Sequence, residues 1–442
     1  MRAAFHTLGC KVNSYETRAI SEQFENAGYE IVDFTEPSDV YVINTCSVTS
    51  MAEHKSRQMI HRARRLNPGA VIVAAGCYAQ RAEGDIKDDG SADIIIGNNN
   101  KSHIIDAVAE LLKERQGSED AQGREYVDDL MQCRDYESQI ITGFGENVRA
   151  YVKIQDGCNR FCSYCIIPYI RGRSRCRKEE DILSEIRGLA ANGYREIVLT
   201  GIDISMYDGM PSLIEKTEAV DGIERIRLGS LEAGVITDEF IETASKSRKL
   251  CPHFHLSLQS GCAATLKRMN RHYTPSEYAE KVRLIREKIK ECAITTDVIV
   301  GFPGETDEEF EESLSFVKQM GFTQTHVFKY SRRAGTVADR MPDQVPEKVK
   351  NERSARLIKV TDEMNLGAAE SFIGRTVPVL IEEKEKAADG ECLQCGFTPQ
   401  YIRAGVESGS DLINTIVMLK VSGMAQTENG RVLTGKIEKN LQ

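Results

Sequence analysis

The sequence predicts an α/β chain of three units: an N-terminal open parallel α/β domain, a central partial (β/α)6 barrel and a small OB-like β-barrel at the C-terminal end. Three observations predict it. Short apolar runs alternate with amphipathic helical stretches through residues 1–113. Six more strand–helix repeats fill residues 148–330. After one long helix, helical periodicity gives way to five β-rich runs. A chain of 442 residues has room for two to four domains of roughly 100–200 residues each. The expected units are 1–115, an acidic connection over 116–144, 145–372 and 373–442.

In the first unit the strands read as Ala3–Leu8, Val40–Asn44, Ala70–Ala75 and Asp93–Ile96. Stretches such as NSYETRAISEQFENAG and SMAEHKSRQMIHRARRLNPG lie between them, each bounded by Gly or Pro. The connection is polar, acidic and weakly periodic. The barrel strands read as Ala150–Gln155, Glu196–Thr200, Arg225–Gly229, His253–Leu258, Thr295–Val300 and Thr325–Lys329. In such barrels chemistry gathers at the carboxyl ends of the strands. Residues 346–371 read as one helix. The runs TVPVLIEE, GECLQCGF, YIRAGVE, TIVMLKVSG and VLTGKIEK then fit a five-stranded barrel.

Composition narrows the class. Hydrophobic content of 41% and charged content of 28% fit an ordered globular chain. No run of about 18 apolar residues exists, so no membrane span is expected. The start, MRAAFHTLGC, lacks a secretory pattern, which predicts a cytoplasmic protein. The net charge of -10 is unevenly placed. Residues 118–146 hold eight acids against two arginines, whereas residues 159–178 hold six basic residues and no acid. Nucleic acid is therefore not excluded, because local patches bind polyanions.

Thirteen cysteines are many for a reducing compartment, and an odd number cannot all pair. Cys158, Cys162 and Cys165 stand in QDGCNRFCSYC, a C-x3-C-x2-C spacing that begins where the first barrel strand ends. Three local thiolates suit an iron–sulfur cluster with one iron open to substrate. Zinc or buried free thiols are the alternatives. Cys10, Cys46 and Cys77 lie far apart in sequence but each follows the carboxyl end of a strand, in AFHTLGC, VYVINTC and VIVAAGC. Those ends form one crevice in an open sheet, so the three thiols could converge on a second cluster. Three buried apolar cysteines are the plain alternative. The same plain reading covers Cys133, Cys176, Cys251, Cys262 and Cys292, and the pair Cys392 and Cys395.

The stretch AYVKIQDGCNRFCSYCIIPYIRGRSRCR resembles the cluster motif of radical S-adenosylmethionine enzymes. Together with the N-terminal cysteines and the C-terminal β module, it resembles the methylthiotransferases over essentially the whole chain. TLGCKVNSYET, INTCSVTSMAEHKSRQ, GFPGETDEEF and VFKYSRRAGT look like the branch acting on threonylcarbamoyladenosine in transfer RNA. The isopentenyladenosine and ribosomal-protein branches would differ at Lys11-Val12.

The resemblance implies two 4Fe-4S clusters, on Cys158, Cys162 and Cys165 and on Cys10, Cys46 and Cys77. It implies S-adenosylmethionine both as methyl donor and as source of a 5′-deoxyadenosyl radical. That radical takes hydrogen from C2 of the adenine, and a methylthio group joins the carbon. An external one-electron reductant and the anticodon loop of a tRNA are the implied partners, with no DNA. The C-terminal barrel resembles the RNA-binding TRAM module. Ala233 and Lys329 stand where the family pattern would place Pro, and Cys392 with Cys395 is not a family feature. These departures leave the six cluster cysteines untouched.

Further candidates sit at the strand ends. Gly201 with Thr200, Glu232, Gln259 with Ser260, and Arg271 are candidates for binding S-adenosylmethionine. Gly301 and Pro303 in GFPGE are expected near its adenine, or form an ordinary turn. Thr306 and Glu309 make a capping box for the next helix. Arg171, Arg173 and Arg175 suit a phosphate backbone or a solvated loop. Lys55, Arg57, Arg62, Arg64 and Arg65 carry the same two readings. Phe397, Tyr401 and Arg403 are RNA-contact candidates, or core residues. The competing class is a non-catalytic iron–sulfur RNA-binding protein.

Overall fold

The computed structural model describes residues 1–117, 123–145, 147–388 and 390–441. Residues 118–122 of the acidic connection lie outside the described residues. The first unit is one parallel sheet in the order β2-β1-β3-β4-β5-β6. Its strands are β1 (Arg2–Thr7), β2 (Glu30–Val32), β3 (Val40–Thr45), β4 (Val71–Gly76), β5 (Ile94–Ile96) and β6 (Arg124–Tyr126). β3 and β4 are buried along their full length. Helices cover both faces of such a sheet, so its strands read as unbroken apolar runs. Val40, Val42, Val71 and Val73 meet Ile20, Phe24 and Leu111 on one face. Tyr41, Ile43, Ile72 and Ala74 meet Ile60 and Ala63 on the other. Strand order reverses between β1 and β3, and a crevice opens there outside the carboxyl ends.

β2 and β6 add to the four strands expected. β6 lies inside the acidic connection and pairs with β5 through Ile94–Arg124 and Ile96–Tyr126. The connection then straps the first unit to the barrel. Tyr15 Oη donates to the Gln139 carbonyl at 2.7 Å, and the Thr142 and Gly143 amides donate to Glu22 at 3.0 Å.

The central unit holds β7 (Arg149–Asp156), β8 (Arg175–Cys176), β9 (Glu196–Gly201), β10 (Arg225–Leu228), β11 (Ser230–Leu231), β12 (His253–Leu256), β13 (Ala293–Val300) and β14 (Gln324–Lys329). They form two four-stranded sheets, β10-β9-β7-β8 and β11-β12-β13-β14. The chain passes between the sheets at Gly229, and Ile226 bridges in parallel to Leu250. Six parallel strands in sequence order therefore make the partial barrel. The short β8 is an antiparallel addition beside β7. Val152, Ile154, Leu199, Phe254 and Ile294 point outward into a core with Ile186, Leu213, Phe240 and Val282 from the covering helices. Residues alternating with them face the lumen, and these include Lys153, Arg227, His253, Thr295 and Asp297.

The helix Asp307–Met320 starts with both halves of the capping box: Thr306 Oγ1 accepts from the Glu309 amide, and the Glu309 side chain accepts from the Thr306 amide. Thr306→Ala should cost about 1 kcal/mol, read as a lowered denaturant midpoint of the barrel.

The last unit is a closed barrel in the order β15-β16-β17-β19-β18, formed by β15 (Thr376–Lys386), β16 (Cys392–Phe397), β17 (Arg403–Val406), β18 (Ile416–Thr427) and β19 (Gly430–Leu441). Among the described residues of this unit, β17 and β19 are the one pair that runs parallel. This unit docks on the amino ends of the central strands. Arg225 donates to the Phe397 and Pro378 carbonyls at 2.9 and 3.0 Å, and Arg149 pairs with Glu382 at 2.9 Å.

Candidate functional site

Cys10, Cys46 and Cys77 follow β1, β3 and β4, three neighbouring strands of the first sheet. Cys10 caps the helix Lys11–Asn26, and Cys77 opens the helix Cys77–Arg81. The crevice at the sheet's reversal point therefore gathers all three. Gly9 has φ +104, and a side chain there would meet Cys46 Sγ at 2.8 Å. Burial raises the Cys46 thiol to about 11, and the neighbouring Cys77 and Cys10 add to the shift. Cys10 is exposed to the crevice, yet the protein crowded around it still raises its thiol.

Cys158, Cys162 and Cys165 form a loop after β7. Burial pushes the Cys158 and Cys165 thiols up to about 12, and mutual repulsion with Cys162 contributes. The Arg160 amide donates to Cys158 Sγ at 3.4 Å, and Arg271 donates to Cys162 Sγ at 3.3 Å. Around the loop, Arg160 pairs with Asp203 at 3.0 Å and with Glu232 at 2.5 Å. Arg271 closes the ring on Glu232 at 2.7 Å. Gly157 (φ +72) leads into the loop, and a Cβ there would overlap the Arg173 carbonyl. Gly157→Ala should displace the loop, and the purified protein should retain less iron per chain.

All six thiols are free. The all-thiol donor set suits an iron–sulfur cluster. With pKa values this high, binding must displace protons from the thiols.

The other strand-end candidates divide. Glu232 and Arg271 join the cysteine loop directly. Gly201 ends β9 and lies against Gln155, whose side chain accepts from the Asp203 amide at 2.8 Å. Gly301 and Pro303 reach the loop indirectly. Phe302 between them meets Tyr164, which stands between Cys162 and Cys165, edge to face at 6.3 Å. Glu305 ties this turn by accepting from the Gly301 amide at 2.7 Å and from Arg353 at 2.7 Å. Gln259 (φ +66) bridges to β13 through its backbone and shows no side-chain contact with the cysteines.

A buried charged network joins the two triads. Arg171, fully buried, donates to Cys77 Sγ at 3.3 Å, Asn13 at 2.7 Å, Glu16 at 2.9 Å and Asp156 at 3.0 Å. Lys153 reaches Glu16 and Asp156, both at 2.7 Å, and Lys101 also pairs with Glu16. Burial alone would raise the Glu16 and Asp156 carboxyls, but the surrounding cations hold both below their ordinary range. Cys77 also packs on Ile166 and Ile170, in the turn of chain directly after Cys165. On the opposite side Arg333, after β14, donates to the Ser47 carbonyl beside Cys46 at 2.6 Å.

The RNA candidates divide by their surroundings. Arg171 and Arg175 are buried among carboxylates and present nothing to a phosphate. Tyr401 stacks on Phe397 at 4.5 Å and on His253 at 5.0 Å, so its ring faces are occupied. Arg403 pairs with Glu385 and donates to the Asn429 carbonyl at 2.8 Å. Arg173, half-buried over the Phe161 ring at 4.5 Å, keeps no carboxylate partner among the described residues. Lys55, Arg57, Arg62 and Arg65 are exposed on the helix Ser50–Leu66, while Arg64 pairs with Asp93. Sequence reasoning missed Glu16, Asn13, Arg160, Asp203 and Arg333. Only their nearness to cysteine or GID and SRR stretches could have marked them.

Known proteins resemble this chain in sequence and in fold. Residues 152–317 match the Radical SAM superfamily, and residues 2–97 match the uncharacterized protein family UPF0004. The chain is 42% identical to the threonylcarbamoyladenosine tRNA methylthiotransferase MtaB of Bacillus subtilis, over 95% of this chain and 93% of that one. It is 38% identical to the same-named protein of Aquifex aeolicus, over 82% and 88%. The tRNA-2-methylthio-N(6)-dimethylallyladenosine synthase of Caldicellulosiruptor saccharolyticus is 37% identical, over 86% and 82%. Among solved structures, the radical S-adenosylmethionine methyltransferase TsrM of Kitasatospora setae shares the fold, with a TM-score of 0.55 at 16% identity over 76% of this chain and 77% of that one.

Proposed function

Because the chain belongs to the radical S-adenosylmethionine tRNA methylthiotransferases, we propose that it adds a methylthio group to C2 of N6-threonylcarbamoyladenosine at position 37, beside the anticodon. One observation supports the reading: Cys77 of one triad packs on Ile166 and Ile170, in the segment directly after Cys165 of the other. A transfer of sulfur needs a sulfur-bearing site next to a radical-generating one, and this contact supplies that adjacency.

In this reading Cys158, Cys162 and Cys165 hold a 4Fe-4S cluster, and Cys10, Cys46 and Cys77 hold a second. When bound, the first supplies an open iron and one electron, taken from an external reductant, for cleavage of S-adenosylmethionine. The chain's own residues position and shield. Arg271 donates to Cys162 and fixes Glu232, so the sulfur and the carboxylate keep one geometry. Glu232 and Asp203 present carboxylates to the ammonium or ribose of S-adenosylmethionine. Gly201, Gln259, Gly301 and Pro303 line the same strand ends and complete its binding site. Arg171 and the buried network keep water from the Cys77 side.

The tRNA backbone meets Arg173 and the exposed face of Ser50–Leu66, a helix that begins just after Cys46. No helix among the described residues is long and apolar enough to cross a membrane; we place the enzyme in the cytoplasm with its RNA. The test is nucleoside mass spectrometry of tRNA from cells lacking the gene, with and without its restoration. The 2-methylthio form of threonylcarbamoyladenosine should vanish and return. An unchanged level of that nucleoside would overturn the assignment.

A further inference from the structure

A cavity of about 840 Å³ lies between the lumen of the central barrel, the helix Glu347–Glu370 and the C-terminal barrel. His253 and His255 of β12, Thr295 and Asp297 of β13, and His326 of β14 line it. Thr295 Oγ1 sits between His253 Nε2 at 3.1 Å and His255 Nδ1 at 3.0 Å. His255 Nε2 is 3.2 Å from an Asp297 carboxylate oxygen without the alignment of a hydrogen bond. His253 Nδ1 is also buried without a hydrogen bond. Buried polar atoms in native structures are nearly always satisfied, so these two nitrogens are open to a hydrogen bond from whatever occupies the cavity, water or ligand.

The cavity's cations are unequal. Arg227 commits its donors to Glu196 and to the Thr398 and Pro399 carbonyls, and Arg403 commits its own to Glu385 and Asn429. Lys11 forms no ion pair or hydrogen bond among the described residues; its ammonium lies 5.9 Å from the Tyr151 ring. Lys11 is also the residue after Cys10, so the one stretch of backbone serves both the cysteine crevice and this cavity. Arg431, likewise unpaired, is on the C-terminal barrel, away from that crevice.

We propose that this cavity receives the N6 side chain of the acceptor nucleoside and that Lys11 holds its carboxylate; the proposal rests on the acceptor reading above. A threonylcarbamoyl group carries one carboxylate, one hydroxyl and ureido N–H donors. The carboxylate meets Lys11, which is unpaired among the described residues and adjoins Cys10. The donors meet the Asp297 carboxylate, which lies beside His255 Nε2. A hydrocarbon tail offers none of these partners and leaves the cavity's polar groups unpaired, the condition under which sites reject an analogue most strongly. A tail anchored at Lys11 also keeps its adenine against Cys10. Lys11 is thus a specificity residue as well as a neighbour of the chemistry.

The test uses the reconstituted holoprotein without reductant and three anticodon stem-loops. One carries threonylcarbamoyladenosine, one its methyl ester, and one dimethylallyladenosine. The ester removes the charge and keeps the shape. Wild type should bind the acid at least about tenfold tighter than the ester, the scale of one charge-assisted hydrogen bond. Lys11→Met should bind the two alike with iron per chain unchanged, and Lys11→Arg should restore the preference. Arg431→Ala should weaken acid and ester equally. Equal binding of acid and ester by wild type that still modifies the acid would overturn the pocket and leave the acceptor reading standing. So would a Lys11→Met variant that still discriminates. Wild type that never modifies the acid when reductant is supplied would overturn both.

Discussion

Replacing Glu16 with glutamine should destabilise the native state by about 3–5 kcal/mol, the cost of removing one partner from a buried ion network. Glu16 is 1% exposed and accepts from Lys101, Lys153 and Arg171. Glutamine has nearly the same volume but no charge, so Lys101 would lose its carboxylate and Asp156 alone would face Lys153 and Arg171. The loss falls on the seam between the first sheet and the barrel, because Glu16 belongs to the first unit and Lys153, Asp156 and Arg171 to the second. Denaturant unfolding under anaerobic conditions should show an earlier first transition, and iron should leave the Cys10, Cys46 and Cys77 site first. The pH dependence has a definite sign. Both carboxyls titrate below their ordinary range in the folded chain. Their contribution is therefore full above the unfolded values near 4 and fades as pH falls from there through the folded ones.

Alanine at Cys158, Cys162 and Cys165 together should abolish the reductive formation of 5′-deoxyadenosine. Alanine at Cys10, Cys46 and Cys77 should leave that cleavage intact and abolish methylthio transfer. The two triads sit in different units and loops, so alanine at one leaves the other's three cysteines in place. Chromatography of the nucleosides after one reaction reads both outcomes. Loss of cleavage in both variants would mean that the sites are not separate.

Much of this arrangement was legible in the chain itself, for physical reasons. β3 and β4 are covered on both faces and so appear as continuous apolar runs, whereas the barrel strands turn one face to the helices and so alternate apolar with polar residues. The meeting of Cys10, Cys46 and Cys77 follows from one rule, that crevices form at carboxyl strand ends. β2 and β6 escaped because each has three residues at a sheet edge, too few for a pattern. The roles of the arginines were the least legible. Arg171 and its partner Glu16 are 155 residues apart, and Arg177 pairs with the buried Glu185. A local count of basic residues sees a phosphate-binding patch where the fold has built a seam. Tyr401 misled in the same way, since His253 comes from another unit.

We propose that one chain holds two clusters, one on each cysteine triad. Iron counted per chain after anaerobic reconstitution tests it most directly. Two clusters of four irons predict about eight in wild type and about four in each triple-alanine variant. A Cys10, Cys46 and Cys77 variant that keeps the full wild-type iron would contradict the claim.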